Sequence, residues 1–430
     1  MTQPLPSVEF AGSVSAVSAV SNPSRIRVPQ PRSEHTPVLS IAPAPVAPPA
    51  GRGVLVHEWI STMGGSEKVL EAMSGLLPDT DVRCLWNDAP DLLPDATITE
   101  TWLARTPLRR SKAAALPLMP ATWRGLHNPG YDWALVSSHL FAHHVTFARQ
   151  DRDFRKFVYV HTPARYLWNP ELDARGGGLL KRMAARPLKA IDRSRAAEAT
   201  SFAANSQFVA DRIRLAWDRD ATVVHPPVDV ARIQAEPDWH SRLDPGERRV
   251  LDALPADFLL GASRFVPYKE LDTVIRVAKA AGLPAVLAGS GPDEPRLRAI
   301  AASVPVPVIF LGRVSDAMLY ALYQRTLAYV FPPIEDFGIM PVEAMAAGAP
   351  VIANRIGGAA ESVVDGVTGA LVDFGSEAEM LSAVGYVAGL HRSASRARAL
   401  RFGTDVFASE LTRWMSASKL SGSKLSGSER

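Results

Sequence analysis

Cysteine is almost absent from this sequence: Cys84 is the only one in 430 residues. An intramolecular disulfide and a cysteine-built zinc site are thereby excluded, and a reducing, cytoplasmic setting is the expectation. No run of 18 or more apolar residues occurs, so no membrane-spanning helix is expected. The start of the chain makes a poor secretory signal. No basic segment precedes the mildly apolar stretch 14–20, and Glu9 comes before it. Groove-reading modules are missing, as is any alternation of aromatic with basic residues, so no nucleic-acid partner is expected.

What is present fits two domains with tails. Residues 1–50 are rich in Pro and Ala, with Ala42-Pro43-Ala44-Pro45-Val46-Ala47-Pro48-Pro49 as the extreme. Such a segment cannot build a core. Short apolar strands follow at 54–57, 82–85, 134–136, 157–160, 202–204 and 222–224, with helical stretches between several of them. A second round runs through 258–261, 285–288, 308–311, 327–331, 351–353 and 370–372, with helices at 272–280, 294–302 and 316–324. Buried-type strands alternating with helices predict parallel sheets covered on both faces. The expected fold is therefore α/β: two doubly wound, Rossmann-like domains, 51–227 and 250–390, facing across a cleft. The polar, proline-containing stretch 228–249 reads as the linker, 391–416 as a helical segment, and 417–430 as a flexible, repetitive tail.

One stretch organises the second domain: Glu335-Asp336-Phe337-Gly338-Ile339-Met340-Pro341-Val342-Glu343. An apolar strand breaks at Pro332-Pro333, and a helix is predicted from about Pro341 until Gly348 and Pro350 stop it. Free N–H groups and the macrodipole at such a helix start attract anions. Glu335 and Glu343 bracket that site, and two acids there would repel a bare phosphate. They suit a ligand offering hydroxyls as well as phosphates, as a nucleotide-sugar does. The plainer reading is a solvated helix start whose acids favour the dipole.

Cations come from Ser263-Arg264-Phe265-Val266-Pro267-Tyr268-Lys269-Glu270, directly after the domain's first strand. Arg264 offers a planar fork for phosphate oxygens and Lys269 a movable point charge. Either alone reads as a surface residue; both at one sheet edge with an anion-seeking helix point to a diphosphate. In the first domain, Gly64-Gly65 between a strand and a helix lets backbone approach a ligand closely. A plain turn with Ser66 as helix cap accounts for the pair equally well.

Arg264 with Lys269, the Ala288-Gly289-Ser290-Gly291-Pro292 turn, the Glu335 and Glu343 pair, and Gly357-Gly358 leading to Glu361 stand in an order that resembles glycosyltransferase family 4. Its members are retaining enzymes of the GT-B architecture. The resemblance covers about residues 54–390 and is strongest in the second domain. It implies that Arg264 and Lys269 hold the donor diphosphate and stabilise the charge that develops as it leaves. Glu335 would bind donor-sugar hydroxyls and Glu343 the ribose. Backbone from Phe337, Gly338 and Ile339 would contact sugar and phosphate, Gly64 and Gly65 would approach the diphosphate, and the base would lie near Arg313 and Val314 and the loop that follows them. Configuration at the anomeric carbon would be kept, with the leaving phosphate helping to deprotonate the acceptor.

Histidines supply the remaining candidates. Ser137-Ser138-His139 ends a predicted strand where the family often places a histidine facing the donor sugar, which makes His139 a candidate catalytic residue. A strand-end histidine tied to backbone is the alternative. His161, in Val160-His161-Thr162-Pro163-Ala164-Arg165-Tyr166, is expected on the acceptor side. His143 and His144 are metal-ligand types, but no third ligand follows at a recognisable spacing. Asp151-Arg152-Asp153 and Asp218-Arg219-Asp220 mimic metal-holding acid pairs without following a convincing strand. No cofactor and no metal are expected.

The acceptor side carries the charge. Between residues 101 and 220 there are 20 Lys plus Arg against 10 Asp plus Glu. Residues 175–195 hold seven basic residues and one acid, interleaved with Leu179, Leu180, Met183, Leu188 and Ile191. A solvated helix face is one reading. Peripheral contact with anionic lipid at the inner membrane face is the other, and it suits a glycan or polyprenyl-linked acceptor. The His161 stretch is similar to one in bacterial mannosyltransferases of polysaccharide assembly, which suggests GDP-mannose as donor. A sugar-nucleotide epimerase or hydrolase on the same fold, and a non-catalytic GT-B scaffold, are the alternatives.

Overall fold

The computed structural model describes residues 49–62, 64–168 and 179–422. Nearly all of the expected N-terminal tail, residues 169–178 and the last eight residues lie outside this range.

Two parallel sheets form the frame. The first is ordered β3-β2-β1-β4-β5-β6-β7, with β1 Gly53–His57, β2 Asp81–Cys84, β3 Ile98–Glu100, β4 Trp133–Ser138, β5 Arg155–Val160, β6 Ser201–Ala204 and β7 Ala221–Val223. The second is ordered β10-β9-β8-β11-β12-β13, with β8 Leu259–Ala262, β9 Ala285–Ala288, β10 Val308–Gly312, β11 Ala328–Phe331, β12 Val351–Asn354 and β13 Gly369–Val372. Every pairing is parallel. Alternate residues feed opposite faces, as the two-residue period of a strand requires. Val54 and Val56 enter one core of the first domain and Leu55 the other. Leu260 and Leu259 divide in the same way in the second. Strand order reverses between β1 and β4, and again between β8 and β11. A doubly wound sheet opens its ligand crevice at such a point, beyond the carboxyl ends of the strands.

β3 went unread because Ile98-Thr99-Glu100 is a half-exposed edge strand with no apolar run. The stretch 228–249, expected as a linker, is instead largely helical, with helices Val230–Ala235 and Pro245–Asp252 around a 3-10 turn, Trp239–Arg242. Its polar residues are caps. Asp229, Asp238 and Asp244 each accept backbone N–H groups at an N-terminus, and Pro245 takes the first helical position of its helix. Val230, Ile233, Trp239, Leu243 and Leu251 bury against the second domain's core.

The chain then crosses back. The helix Thr404–Gly422 runs past the expected end at 416 and places Phe407, Leu411, Trp414 and Met415 in the first domain's core, beside Leu55, Phe157 and Tyr159. The last helix therefore ties the two domains together.

Candidate active site

The carboxyl ends of the two sheets face each other across a cleft of about 720 Å³, within the usual range for small-molecule sites. From the first domain, Gly64, Gly65, Glu67, Lys68, His139, His161, Thr162 and Arg165 line it; from the second come Tyr268, Lys269, Asp316 and the segment Glu335 to Met340 with Glu343.

The second domain builds its side from three loops held by backbone. Phe265 N–H donates to the Ser290 carbonyl and Asp293 N–H to that of Phe265, at 2.9 and 3.0 Å. A Cβ on Gly291 would lie 2.3 Å from the Phe265 carbonyl oxygen, so only glycine fits there. The Gly357-Gly358 pair does the same for the Glu335 loop. Gly358 N–H donates to the Glu335 carbonyl at 2.8 Å, and a Cβ on Gly358 would sit 2.2 Å from that of Asp336. The following helix is Ile339–Ala346, two residues earlier than expected, and starts at Gly338 with φ 93°. Pro341 still falls in its first turn.

These loops bring Lys269 and Glu335 together as an ion pair. Glu343, one turn into the helix and nearly buried, pairs across the cleft with Lys68, Nζ to Oε1 3.0 Å. Gly65 also meets the second domain: a Cβ there would lie 3.2 Å from Ile339 Cδ1. Asp336 binds the first domain more firmly. Its carboxylate receives Arg165 and Arg212, and its carbonyl accepts from the Ser206 hydroxyl. Glu361 reinforces this by accepting Gln207 and Phe208 N–H groups at 2.8 and 2.9 Å, capping the first-domain helix Gln207–Trp217.

The first domain's side is a buried polar cluster at the ends of β1, β4 and β5. His57 Nδ1 lies 3.0 Å from Ser137 Oγ, which lies 2.8 Å from His161 Nε2. Burial first, then neighbouring His139, pushes His57 down to about 4; burial, His139 and His57 push His161 well below the usual histidine range. His139 reaches the cleft with 18% of its side chain exposed.

Two matches decide what this frame belongs to. Residues 63–232 match the family described as Glycosyltransferase Family 4, and residues 250–387 match Glycosyl transferases group 1. Together the two matches support a GT-B glycosyltransferase of family 4. It is 31% identical over 197 residues to a GDP-mannose-dependent alpha-(1-6)-phosphatidylinositol monomannoside mannosyltransferase of Mycolicibacterium smegmatis, covering 42% of this chain and 50% of that protein. It is 29% identical over 265 residues to the D-inositol 3-phosphate glycosyltransferase of the same organism, covering 57% of each. The chain thus spans about half the length of the curated relatives it matches. Its fold is that of Anabaena HepE, solved in complex with UDP, at TM-score 0.62 and 19% identity over 85% of this chain and 100% of that one. Sucrose-phosphate synthase from Thermosynechococcus elongatus aligns at TM-score 0.59 and 17% identity, covering 84% and 98%. The architecture is GT-B.

The cleft brings together Gly64, Gly65, His139, His161, Lys269, Glu335, Phe337, Gly338, Ile339 and Glu343. Arg264 does not line it; its guanidinium is exposed and donates to the Tyr268 hydroxyl at 2.8 Å, one residue outside the lining. Arg313 and Val314, expected near the base, are also outside the lining, Val314 packing against the core, but Asp316, just after them, lines the cleft. Lys68, Arg165, Asp336 and Glu58 were not singled out. Lys68 directly follows Gly64-Gly65-Ser66-Glu67, Asp336 stands beside Glu335 and Arg165 in the His161 stretch, while Glu58 carries no local signal beyond its place after a strand.

The expected absence of a third ligand for His143 and His144 needs correcting. Asp192, from the helix Leu179–Ala196, lies 3.1 and 2.9 Å from their Nε2 atoms, all three fully buried. Trp168 and Trp217 indole N–H groups occupy its other oxygen at 2.7 and 2.6 Å. The arrangement is that of a hydrogen-bonded carboxylate inside the core, away from the cleft. Neither Asp-Arg-Asp motif lines the cleft, and Asp220 pairs with Arg214. In the described part of the basic 175–195 stretch, Lys189 and Arg193 lie over the Trp168 ring and Arg195 pairs with Glu198, while Arg186 and Arg193 remain exposed. No helix among the described residues is long and apolar enough to cross a membrane.

Proposed function

We propose that this chain is a retaining hexosyltransferase that binds a nucleotide-diphosphate sugar in the interdomain cleft and transfers the sugar to a glycan or lipid-linked glycan. The observation that carries the reading is the convergence of Lys269 with Glu335, and of Lys68 with Glu343, on one cleft between two sheet edges. A lysine ammonium has three hydrogens, so Lys269 can keep Glu335 and still reach a phosphate oxygen. Glu335 remains partly open to solvent and retains lone pairs for sugar hydroxyls. Glu343, deeper, takes the ribose. Arg264 swings from Tyr268 to the diphosphate as the second cation. The bond from the anomeric carbon to the diphosphate oxygen breaks, the acceptor oxygen bonds on the same face, and its proton passes to the departing phosphate. With Lys269 and Arg264 on the leaving group, no metal is assigned a part.

GDP-mannose is the first donor to test, supported by the named donor of the mycobacterial relative. Incubation with GDP-mannose and a mannosyl or polyprenyl-linked acceptor should give an α-linked product, with the anomer read by NMR. A β-linked product excludes retention. Donor turnover without acceptor favours the hydrolase or epimerase reading. Contact with an anionic membrane through 175–195 rests on the charge excess there. Replacing Lys181, Arg182, Arg186 and Lys189 by Gln should release the protein from anionic vesicles, and unchanged partition removes that contact from the account.

A further inference from the structure

We propose that Glu58 is the positioning residue for His139, fixing the imidazole with its Nδ1–H on the carboxylate and Nε2 toward the cleft. The inference rests on the transferase reading only in what it says about turnover.

Glu58 directly follows β1 and is fully buried. A buried carboxylate is costly unless hydrogen-bonded, and the turn after β4 wraps this one. Leu140 and Ala142 N–H groups donate to Oε1 at 2.8 Å each, and His139 N–H donates to Oε2 at 3.2 Å. Ser138 Oγ lies 3.4 Å from Oε1. His139 Nδ1 is buried with no hydrogen-bond partner, and stands 3.4 Å from Oε2 in a charge contact longer than a hydrogen bond. An ionised carboxylate can only accept. A lone pair on Nδ1 would be repelled by that carboxylate, so the hydrogen is placed on Nδ1, where a small turn of the ring brings it onto Oε2, and Nε2 is left for the cleft that the ring lines. Burial works against the charge on Glu58, yet His139, His57 and the backbone N–H groups outweigh it and hold the carboxyl below its ordinary range.

Its two histidine neighbours lack this device. His57 and His161 share the Ser137 hydroxyl, which can donate or accept and so fixes neither ring. Trp59 packs edge-on to His139 with centroids 4.7 Å apart, and His57 stands at 5.6 Å, which restrains the ring plane. His139 is thus the one of the three whose hydrogen is placed by an acid and whose free nitrogen faces the cleft. In the transfer, Nε2 would accept a hydrogen from a sugar or acceptor hydroxyl. The other tautomer would offer an N–H there instead.

The test is the imidazole ¹⁵N spectrum of histidine-labelled protein at a pH where the ring is neutral, with His139 assigned by its loss in His139→Gln. The expected wild-type tautomer is Nδ1–H. Glu58→Gln, whose amide can donate to Nδ1, should move the hydrogen to Nε2 and lower kcat about 10–100-fold, the range seen when the partner that orients a metal-bound histidine is removed. Donor affinity should not change, and adding His139→Gln should cost little more. A wild-type Nε2–H tautomer overturns the proposal, and needs no variant that might fail to fold. Glu58→Gln with full kcat overturns it as well. Lack of sugar transfer by a wild-type protein in the Nδ1–H form overturns the transferase reading instead and leaves the positioning by Glu58 supported.

Discussion

The two halves of the cleft are built by opposite means. In the second domain, charged side chains stand on loops pinned by backbone contacts that only glycine permits, and Lys269 and Glu335 remain partly open. In the first, the polar groups are buried at strand ends and hydrogen-bonded to one another: His57 to Ser137 to His161, and Glu58 to the turn that carries His139. An open pair of charges can exchange partners with a diphosphate and a sugar. A buried, internally satisfied cluster cannot exchange partners cheaply, but it holds one imidazole in a fixed orientation. The division suggests that the second domain supplies charge stabilisation and the first supplies geometry.

Substitution in the open half should have the largest effect. Glu335→Gln keeps the shape but removes the charge, and turnover should fall roughly 10²–10³-fold, as for loss of one transition-state hydrogen-bond partner. Steady-state kinetics with a saturating donor measure it; near-normal kcat removes Glu335 from its proposed role. Lys269→Met should cost about 1.5–3 kcal/mol of binding to the diphosphate, the worth of one charged hydrogen bond. Calorimetric titration with nucleoside diphosphate reads that loss. An unchanged affinity would move the leaving-group site elsewhere.

The buried half should reveal itself through acid as well as through kinetics. His57 and His144 are both pushed down to about 4, chiefly by burial, against 6.5 for an unperturbed ring. As pH falls through about 6.5 the unfolded chain binds these protons and the folded one does not. Stability is thus lost between about 6.5 and 4, on the order of 1–2 kcal/mol per histidine by pH 5. Glu58 and Asp192, whose folded carboxyls lie below their ordinary values, extend the loss further down. Urea unfolding at pH 7.5 and 5.0, followed by hydrogen exchange, should place the acid-sensitive step in the first domain. A first domain as stable at pH 5.0 as at 7.5 contradicts this account of its interior.

The same contrast explains what could be read from sequence. The second domain's site lies within short stretches, 263–270 and 335–343, each entered from an apolar strand, so its chemistry and its place in the fold appear together. Arg264, Arg313 and Val314 show the limit, since a loop can be located from sequence while the direction of its side chains cannot. In the first domain the partners are distant in sequence. Glu58 meets the 138–142 turn some 80 residues on, Lys68 finds Glu343 across the cleft, and Asp192 finds His143 and His144. No local pattern encodes those meetings. The stretch 228–249 misled for a related reason, because Asp229, Asp238 and Asp244 look like linker residues until they are seen capping helices.

The measurement that tests the central claim most directly is thermal unfolding with GDP-, UDP- and ADP-sugars, each with magnesium and with EDTA. A cleft that binds one nucleotide-sugar class should gain about 2.7 kcal/mol at 100 times the dissociation constant. The account predicts that gain for one class, unchanged by EDTA and cut to about 0.3–1.3 kcal/mol in Lys269→Met at the same concentration. No stabilisation by any member at saturating concentration, or a gain that Lys269→Met leaves intact, would contradict it.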